Sequence, residues 1–178
     1  MSKRPLFVSI LIALYFLVPT NLHASELPPC EGNFYHNCKG KAAFENGDEY
    51  TGDFQNNMAN GFGIAVFQDT SGYVGDWKDW QFHGQGTYVD TDDQTYIGDF
   101  KNGLRHGTGT QFYRDGGEYT GYWDGDRPHG KGVFKYSNGS IYDGVFFQGM
   151  RHGEGTLIGA NGKVVSGIWL EDTPPKNN

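Results

Sequence analysis

One spacing governs this chain. Tyr50, Tyr73, Tyr96, Tyr119 and Tyr142 follow one another at intervals of 23 residues, and Val165 continues the series. Two residues after each stands a glycine: Gly52, Gly75, Gly98, Gly121, Gly144 and Gly167. Two further on stands a large aromatic: Phe54, Trp77, Phe100, Trp123, Phe146 and Trp169. Eleven residues after each tyrosine comes Gly-x-Gly, from Gly61/Gly63 to Gly153/Gly155, preceded by Asn60, His83, His106, His129 and His152. Five uninterrupted copies mean a repeat array, in which each unit buries its apolar face only against its neighbours.

Alternation then assigns the local structure. Tyrosine, glycine and the second aromatic lie two residues apart, so they share one face of a strand, and the paired glycines share one face of the next. Glycine is a poor strand residue unless its empty space is needed. Here a ring from the neighbouring strand can lie over it. The 28 glycines and the 16% aromatic content suit a sheet built this way. Asn46-Gly47, Gly116-Gly117, Asn138-Gly139 and Asn161-Gly162 supply tight turns between hairpins. Two strands per repeat give about 9.6 Å per repeat, and about 11 to 13 strands in all.

The pattern Tyr-x-Gly-x-Phe/Trp followed by His-Gly-x-Gly resembles the MORN (membrane occupation and recognition nexus) repeat, over about Cys30 to Leu170. The resemblance implies an all-β fold, an elongated single twisted antiparallel sheet of successive β-hairpins. It also implies a scaffold, oligomerisation module or spacer, with no catalytic residues common to the family. The chain divides into residues 1–24, a signal peptide; 25–49, an N-terminal partial repeat with a disulfide cap; 50–164, five repeats; and 165–178, a closing strand and tail.

The ends carry their own signals. Lys3 and Arg4 precede an uncharged apolar run from Leu6 to Val18, and Ala24 offers a cleavage point. That is the order of a secretory signal peptide, and the run is shorter than the roughly 20 residues a membrane span needs. Leu27-Pro28-Pro29 lacks the small residues that lipoprotein processing at Cys30 requires. The expected product is secreted or periplasmic, beginning at Ser25. In such a compartment Cys30 and Cys38, an even pair, favour a disulfide over free thiols or metal ligands. Thr173-Pro174-Pro175 cannot extend a strand and protects the other edge.

Charge and motif narrow the function. Loss of Lys3 and Arg4 takes the formal net charge from −7 to about −9. So acidic a chain is repelled by phosphate backbones and anionic lipid surfaces, which argues against nucleic acid and against anionic membranes as partners. His83, His106, His129 and His152 would stand about 9.6 Å apart, too far to share one metal ion whose ligands sit about 2 Å away. They read as loop histidines capping backbone groups. Asp90-Thr91-Asp92-Asp93 lacks the glycine and distal glutamate of a calcium loop. Gly-x-Gly here precedes no helix to receive a phosphate, and no Gly-x-Ser-x-Gly elbow occurs. Asn138-Gly139-Ser140 is formally a glycosylation sequon on a position already explained as a turn. The reading is a non-enzyme without cofactor.

Two departures from the repeat point to partner contacts. The turn column Asn57, Trp80, Gly103, Asp126, Gly149 asks for a left-handed backbone, which tryptophan adopts reluctantly. Trp80 either folds back over neighbouring loops, against Phe82, or stands out as an aromatic anchor. Opposite the aromatic–glycine ladder, Asp53/Gln55, Asp76/Lys78 and Asp99/Lys101 give way to Tyr122/Asp124, Val145/Phe147 and Ile168/Leu170. The five apolar residues among the latter would form a patch for a protein partner or a homodimer, unless the tail covers them. A glycan or lipid held on the aromatic face is the alternative.

Intact-mass measurement of exported protein is expected to give a chain starting at Ser25; a mass retaining Met1 to Ala24 would mean an anchored protein. Thiol titration of the unreduced, denatured chain is expected to find no reactive sulfhydryl; two per chain would rule out the cap.

Overall fold

The computed structural model describes Leu27 to Lys176; the signal-peptide reading and the last two residues lie outside the described residues. Twelve strands follow in chain order: β1 (Cys38–Ala43), β2 (Glu49–Gln55), β3 (Met58–Val66), β4 (Gly72–Lys78), β5 (Gln81–Val89), β6 (Thr95–Lys101), β7 (Leu104–Phe112), β8 (Glu118–Asp124), β9 (Arg127–Lys135), β10 (Ile141–Phe147), β11 (Met150–Ile158) and β12 (Val164–Trp169). They form one open antiparallel sheet in which spatial order equals chain order. The strands pack into two compact units, one running to Thr91 with Phe100–Gly103, the other comprising Asp92–Asp99 and the chain from Leu104 onward.

Three glycines per repeat do two different jobs. Gly52 pairs with Gly63, and a Cβ on Gly52 would lie 2.5 Å from the Gly63 Cα. On Gly63 a Cβ would strike the Tyr50 ring, which lies across it. The same interlock joins Tyr119 to Gly121 and Gly132, and Tyr142 to Gly144 and Gly155. The rings are consequently sealed: Tyr50, Tyr73, Tyr96, Tyr119 and Tyr142 are all buried, as are Phe54, Trp77, Phe100, Trp123, Phe146 and Trp169. The first glycine of each Gly-x-Gly behaves differently. Gly61, Gly84, Gly107, Gly130 and Gly153 have φ between 52° and 103°, a left-handed backbone, so they do not share the ring-covered role of their partners.

That left-handed residue sits where the pairing register slips, between Gly52 and Phe54 on β2 and between Gly75 and Asp76 on β4. The bulge strands polar groups, and side chains take them up. Each ladder tyrosine donates its hydroxyl to the carbonyl three residues on, from Tyr50 to Asp53 (2.9 Å) through to Tyr142 to Val145 (3.1 Å). The Asp53, Asp76 and Asp99 carboxylates accept the amides of Phe62, Gln85 and Thr108 at 3.1, 3.0 and 2.7 Å. These aspartates therefore brace the bulge and are not merely a charged surface. Tyr122 and Val145 in later repeats give up that brace.

Turn chemistry follows two patterns. Between the strands of a repeat, both central residues are left-handed: Asn56-Asn57, Asp79-Trp80, Asn102-Gly103, Gly125-Asp126 and Gln148-Gly149. Between repeats, an Asn or Asp oxygen accepts the amide two residues on, as in Asn46 to Asp48 (3.1 Å) and Asn138 to Ser140 (2.9 Å). In the fourth such turn the pair is Asp115-Gly116, with Gly116 at φ 88°; Gly117 is an ordinary strand-side residue, which corrects the Gly116-Gly117 reading.

Each terminal strand of the sheet carries a short local cap. The Cys30 and Cys38 sulfurs are 2.08 Å apart, and Cys30 packs over Gly40 as a tyrosine does over later glycines. Lys39 donates its amide to Pro28 and its carbonyl accepts from Cys30, so the outer edge of β1 is paired at that residue. At the other end Leu170 and Thr173 bond reciprocally and Pro175 packs over Gly167, taking the place a further ring would fill.

Gly86→Ala should cost roughly 3 kcal/mol or more, because the Tyr73 ring cannot move away. Gly103→Ala, with open space around it but φ 83°, should cost about 1 kcal/mol. Urea unfolding midpoints separate the two, and equal costs would refute the interlock. Burial, with smaller contributions from Asp53 and Asp99, pushes the Tyr50 and Tyr96 hydroxyls well above 10.0, and burial does the same for Tyr119. The folded state thus favours their neutral form. Their contribution to stability is complete below the unfolded value and is lost as pH rises through the folded one. Urea midpoints should fall steeply above about pH 10; a profile flat beyond that would mean the hydroxyls are solvated.

Candidate functional site

The apolar residues opposite the ladder are uncovered but not contiguous. Ile168 and Leu170 are 63% and 62% exposed, Phe147 and Tyr122 are 44% and 40%, and Val145 is half-buried. The described part of the tail turns toward Gly167 and leaves Ile168 and Leu170 open. However, Val145 pairs directly with Lys131 and Ile168 with Glu154. Direct partners project to the same side of the sheet, so two exposed charges interrupt the row expected to lie side by side. Phe147 keeps closer company, with the His129 and His152 rings at 5.4 and 5.7 Å.

The histidines act locally. His83 Nδ1 accepts the Asn102 amide at a long 3.5 Å, and His106 Nδ1 lies 3.4 Å from the Asp124 carboxylate. Tyr73 and Tyr96 hydroxyls also reach the His83 and His106 carbonyls, at 3.2 and 3.4 Å. Among the described residues no group of three or more metal-ligating side chains converges.

The aromatic face carries more information, because its period is really 46. The second aromatic alternates Phe54, Trp77, Phe100, Trp123, Phe146, Trp169. Only the tryptophans can donate, and Trp77, Trp123 and Trp169 do so to the carbonyls of Gly63, Gly109 and Gly155, at 3.1, 3.2 and 3.1 Å. Each tryptophan meets a tyrosine edge-to-face: Tyr50–Trp77 at 5.1 Å, Tyr96–Trp123 at 5.2 Å and Tyr142–Trp169 at 5.2 Å.

On two of these floors lies a guanidinium. Arg105 Cζ is 4.5 Å from the Trp123 ring centre and 5.8 Å from that of Tyr96. Arg151 repeats this at 4.4 Å from Trp169 and 5.7 Å from Tyr142. The turn aspartates hold them, Arg105 Nε donating to Asp126 at 3.1 Å and Arg151 Nε to Asp172 at 2.8 Å. Arg105 Nη1 also donates across the face to Gln111 at 2.8 Å.

The third floor, Tyr50–Trp77, is different. Ala59 stands where the arginines stand, Trp80 where the aspartates stand, and Ala65 where Gln111 stands. Trp80 does adopt the left-handed backbone, at φ 65°. Its ring turns inward and meets Phe44, Tyr50 and Phe54 edge-on at 5.4, 5.3 and 5.8 Å, so its ring partners are these and not the expected Phe82. Phe82 instead stacks on Tyr73 at 3.9 Å. With a small Ala65 between, an open cleft of about 470 Å³ remains, walled by Phe44, Tyr50, Phe67, Trp77, Trp80 and Phe82. All of it lies in the first unit. Its rim carries Asp48 and Glu49, and its described lining includes no lysine or arginine. Trp80 is legible in the sequence as a departure from the turn column, whereas the cleft is not. The available signal was the column Ala65, Tyr88, Gln111, Phe134, Leu157, in which one member is conspicuously small.

Two solved structures illustrate the fold comparison. The Drosophila melanogaster SAS-4 (dCPAP) TCP domain, solved with a proline-rich motif of Ana2 (dSTIL), is 11% identical, with 80% of this chain and 86% of that one covered, at a TM-score of 0.40. The Danio rerio CPAP TCP10 domain, solved with a STIL peptide, is 12% identical, with 71% and 72% covered, at a TM-score of 0.26. No curated protein sequence matches the chain significantly. The MORN repeat model matches five times, at residues 50–71, 73–95, 96–118, 119–141 and 142–164, in step with the tyrosine spacing and the interlocked hairpins. With more than half its length so matched, the chain belongs to the MORN repeat family.

Proposed function

We propose that this chain is a non-catalytic interaction module, exported and freed of its signal segment, that holds a polypeptide partner in the aromatic cleft of its first unit. The observation that carries the reading is the cleft itself. Over Trp123 and Trp169 the protein lays its own Arg105 and Arg151, whereas beside the Tyr50–Trp77 pair, which Trp80 helps to cover, the incompletely buried rings of Phe44, Phe67, Trp80 and Phe82 face an open cleft. Concave aromatic surface with a few polar groups at its rim is the usual form of a binding site, and tryptophan and tyrosine are the residues on which interface energy concentrates.

The test uses a filling substitution that the fold already accommodates. Tyr88 occupies the Ala65 position one repeat later, so Ala65→Tyr should fold normally while closing the cleft. A random peptide display library panned on wild-type protein should enrich clones that Ala65→Tyr fails to retain. If instead an oligosaccharide panel yields Ala65-dependent ligands and the peptides do not, the site is a glycan site. If neither does, the cleft is structural.

A second reading rests on Ile168 and Leu170, the most exposed of the apolar residues opposite the ladder in the second unit. This face would pair with its own copy across a two-fold axis, Lys131 of one copy meeting Glu154 of the other. Sedimentation of the wild type should then show a dimer that Val145→Asp/Phe147→Asp abolishes without unfolding. A wild type monomeric at high concentration, or a double mutant that unfolds, removes this reading.

A further inference from the structure

We infer that the two outer strands fit each other, so that copies of this chain join head to tail, β12 of one against β1 of the next, and that the Cys30–Cys38 disulfide keeps the joint shut. This joint is independent of the cleft.

The described array starts and stops in mid-repeat. A repeat is a tyrosine-bearing strand followed by a Gly-x-Gly strand. β1 is a second strand without its first, with Gly40 where β11 has Gly155. β12 is a first strand without its second, with Gly167 where β10 has Gly144. Within a repeat Gly144 faces Gly155, Asp143 faces Thr156 and Ile141 faces Ile158. Carried to the two ends, that register sets Gly167 of one copy against Gly40 of the next, Ser166 against Lys41 and Val164 against Ala43.

The backbone phase permits it. Leu170 turns its amide and carbonyl outward to Thr173, and Lys39 turns its own outward to Pro28 and Cys30. Alternation then points the same groups of Val164, Ser166 and Ile168 out of β12, and those of Lys41 and Ala43 out of β1. Both outer pairs of the joint can therefore exchange hydrogen bonds. Like edges fit less well. Lys39 and Lys41 oppose a β1–β1 pair by charge. With Gly167 facing its own copy, Val164 falls opposite Leu170, which Thr173 already occupies.

The two ends are unequally open. At β12, Val164, Ser166 and Ile168 are exposed, and Thr173 holds only Leu170. Pro175 lies over the ladder side of Gly167, giving the cover that a tyrosine gives elsewhere and that Val165 is too short to give. At β1, Pro28 to Cys30 runs alongside Lys39 where the incoming strand would lie, and Cys30 fills the space over Gly40. The bond to Cys38 fastens this segment. A dithiol reductant, giving two electrons and two protons and becoming a disulfide itself, converts the cysteines to two thiols. The segment is then tied only through its own hydrogen bonds, and β12 of another copy competes for the edge. A contact between unlike edges does not close, so copies add in a row.

The experiment compares sedimentation of the purified protein, oxidised and dithiol-treated, at matched concentrations. The oxidised chain should be monomeric. The reduced chain should form dimers and longer oligomers that grow with concentration, and Cys30→Ser should do so without reductant. Ser166→Pro removes the outward amide of β12 and Lys41→Pro that of β1, at edge positions where proline is tolerated. Each reduced variant alone should stay monomeric, and a mixture of the two should stop at a dimer. A reduced wild type that stays monomeric overturns the joint, and so does a reduced Lys41→Pro that still associates, since β12 would then pair with itself. Equal association in both redox states overturns the lock. Association abolished by Val145→Asp/Phe147→Asp belongs to the apolar face and overturns the joint. Loss of the β-sheet circular dichroism on reduction overturns it as well, because the cap would then be part of the fold.

Discussion

The contact on which the rest depends is a tyrosine ring laid flat across a glycine. It requires two facing glycines with no Cβ between the strands, and it spends the space so created on one buried ring per hairpin. Because the ring comes from the same hairpin, each unit can complete its own contact. Because its edges meet aromatics of the neighbouring hairpins, such as Tyr50 with Trp77 and Tyr119 with Phe146, no unit is buried without the next. A core of this type uses few aliphatic side chains, which explains how a glycine-rich, acidic chain folds at all.

The bulge is the second half of the same device. Laying the ring over the second glycine of Gly-x-Gly brings the first into a left-handed conformation, and the ladder slips there. The tyrosine hydroxyl then answers the carbonyl that the slip exposes. One residue thereby supplies buried area and repairs the hydrogen bonding that its own placement disturbs, which is costly to leave undone in a buried strand.

The all-β hairpin array was readable from residues alone, since a fixed period with alternating tyrosine, glycine and aromatic admits little else. The separate conformations of the two glycines were not, because spacing shows only that both are small. Trp80 was legible as an anomaly; its inward turn over Tyr50 and Phe54 depends on the vacancy left by Ala59, which only the three-dimensional register reveals. The apolar row opposite the ladder was legible as composition, but its interruption by Lys131 and Glu154 follows from which strands stand between, and alternation within one strand does not report that. The Arg105 and Arg151 stacks follow a 46-residue spacing, which the 23-residue tyrosine period does not report.

The 46-residue alternation has a consequence for how such a protein can change in length. Losing one 23-residue unit, 96–118 for example, would bring Trp77 and Trp123 into successive hairpins and leave Asp126 aligned with Phe82 in place of Arg105. Losing 46 residues would keep indole and phenyl rings in alternation and every arginine beside its aspartate. The heritable module of this array is therefore a pair of hairpins, and lineages of related arrays should differ by even numbers of repeats.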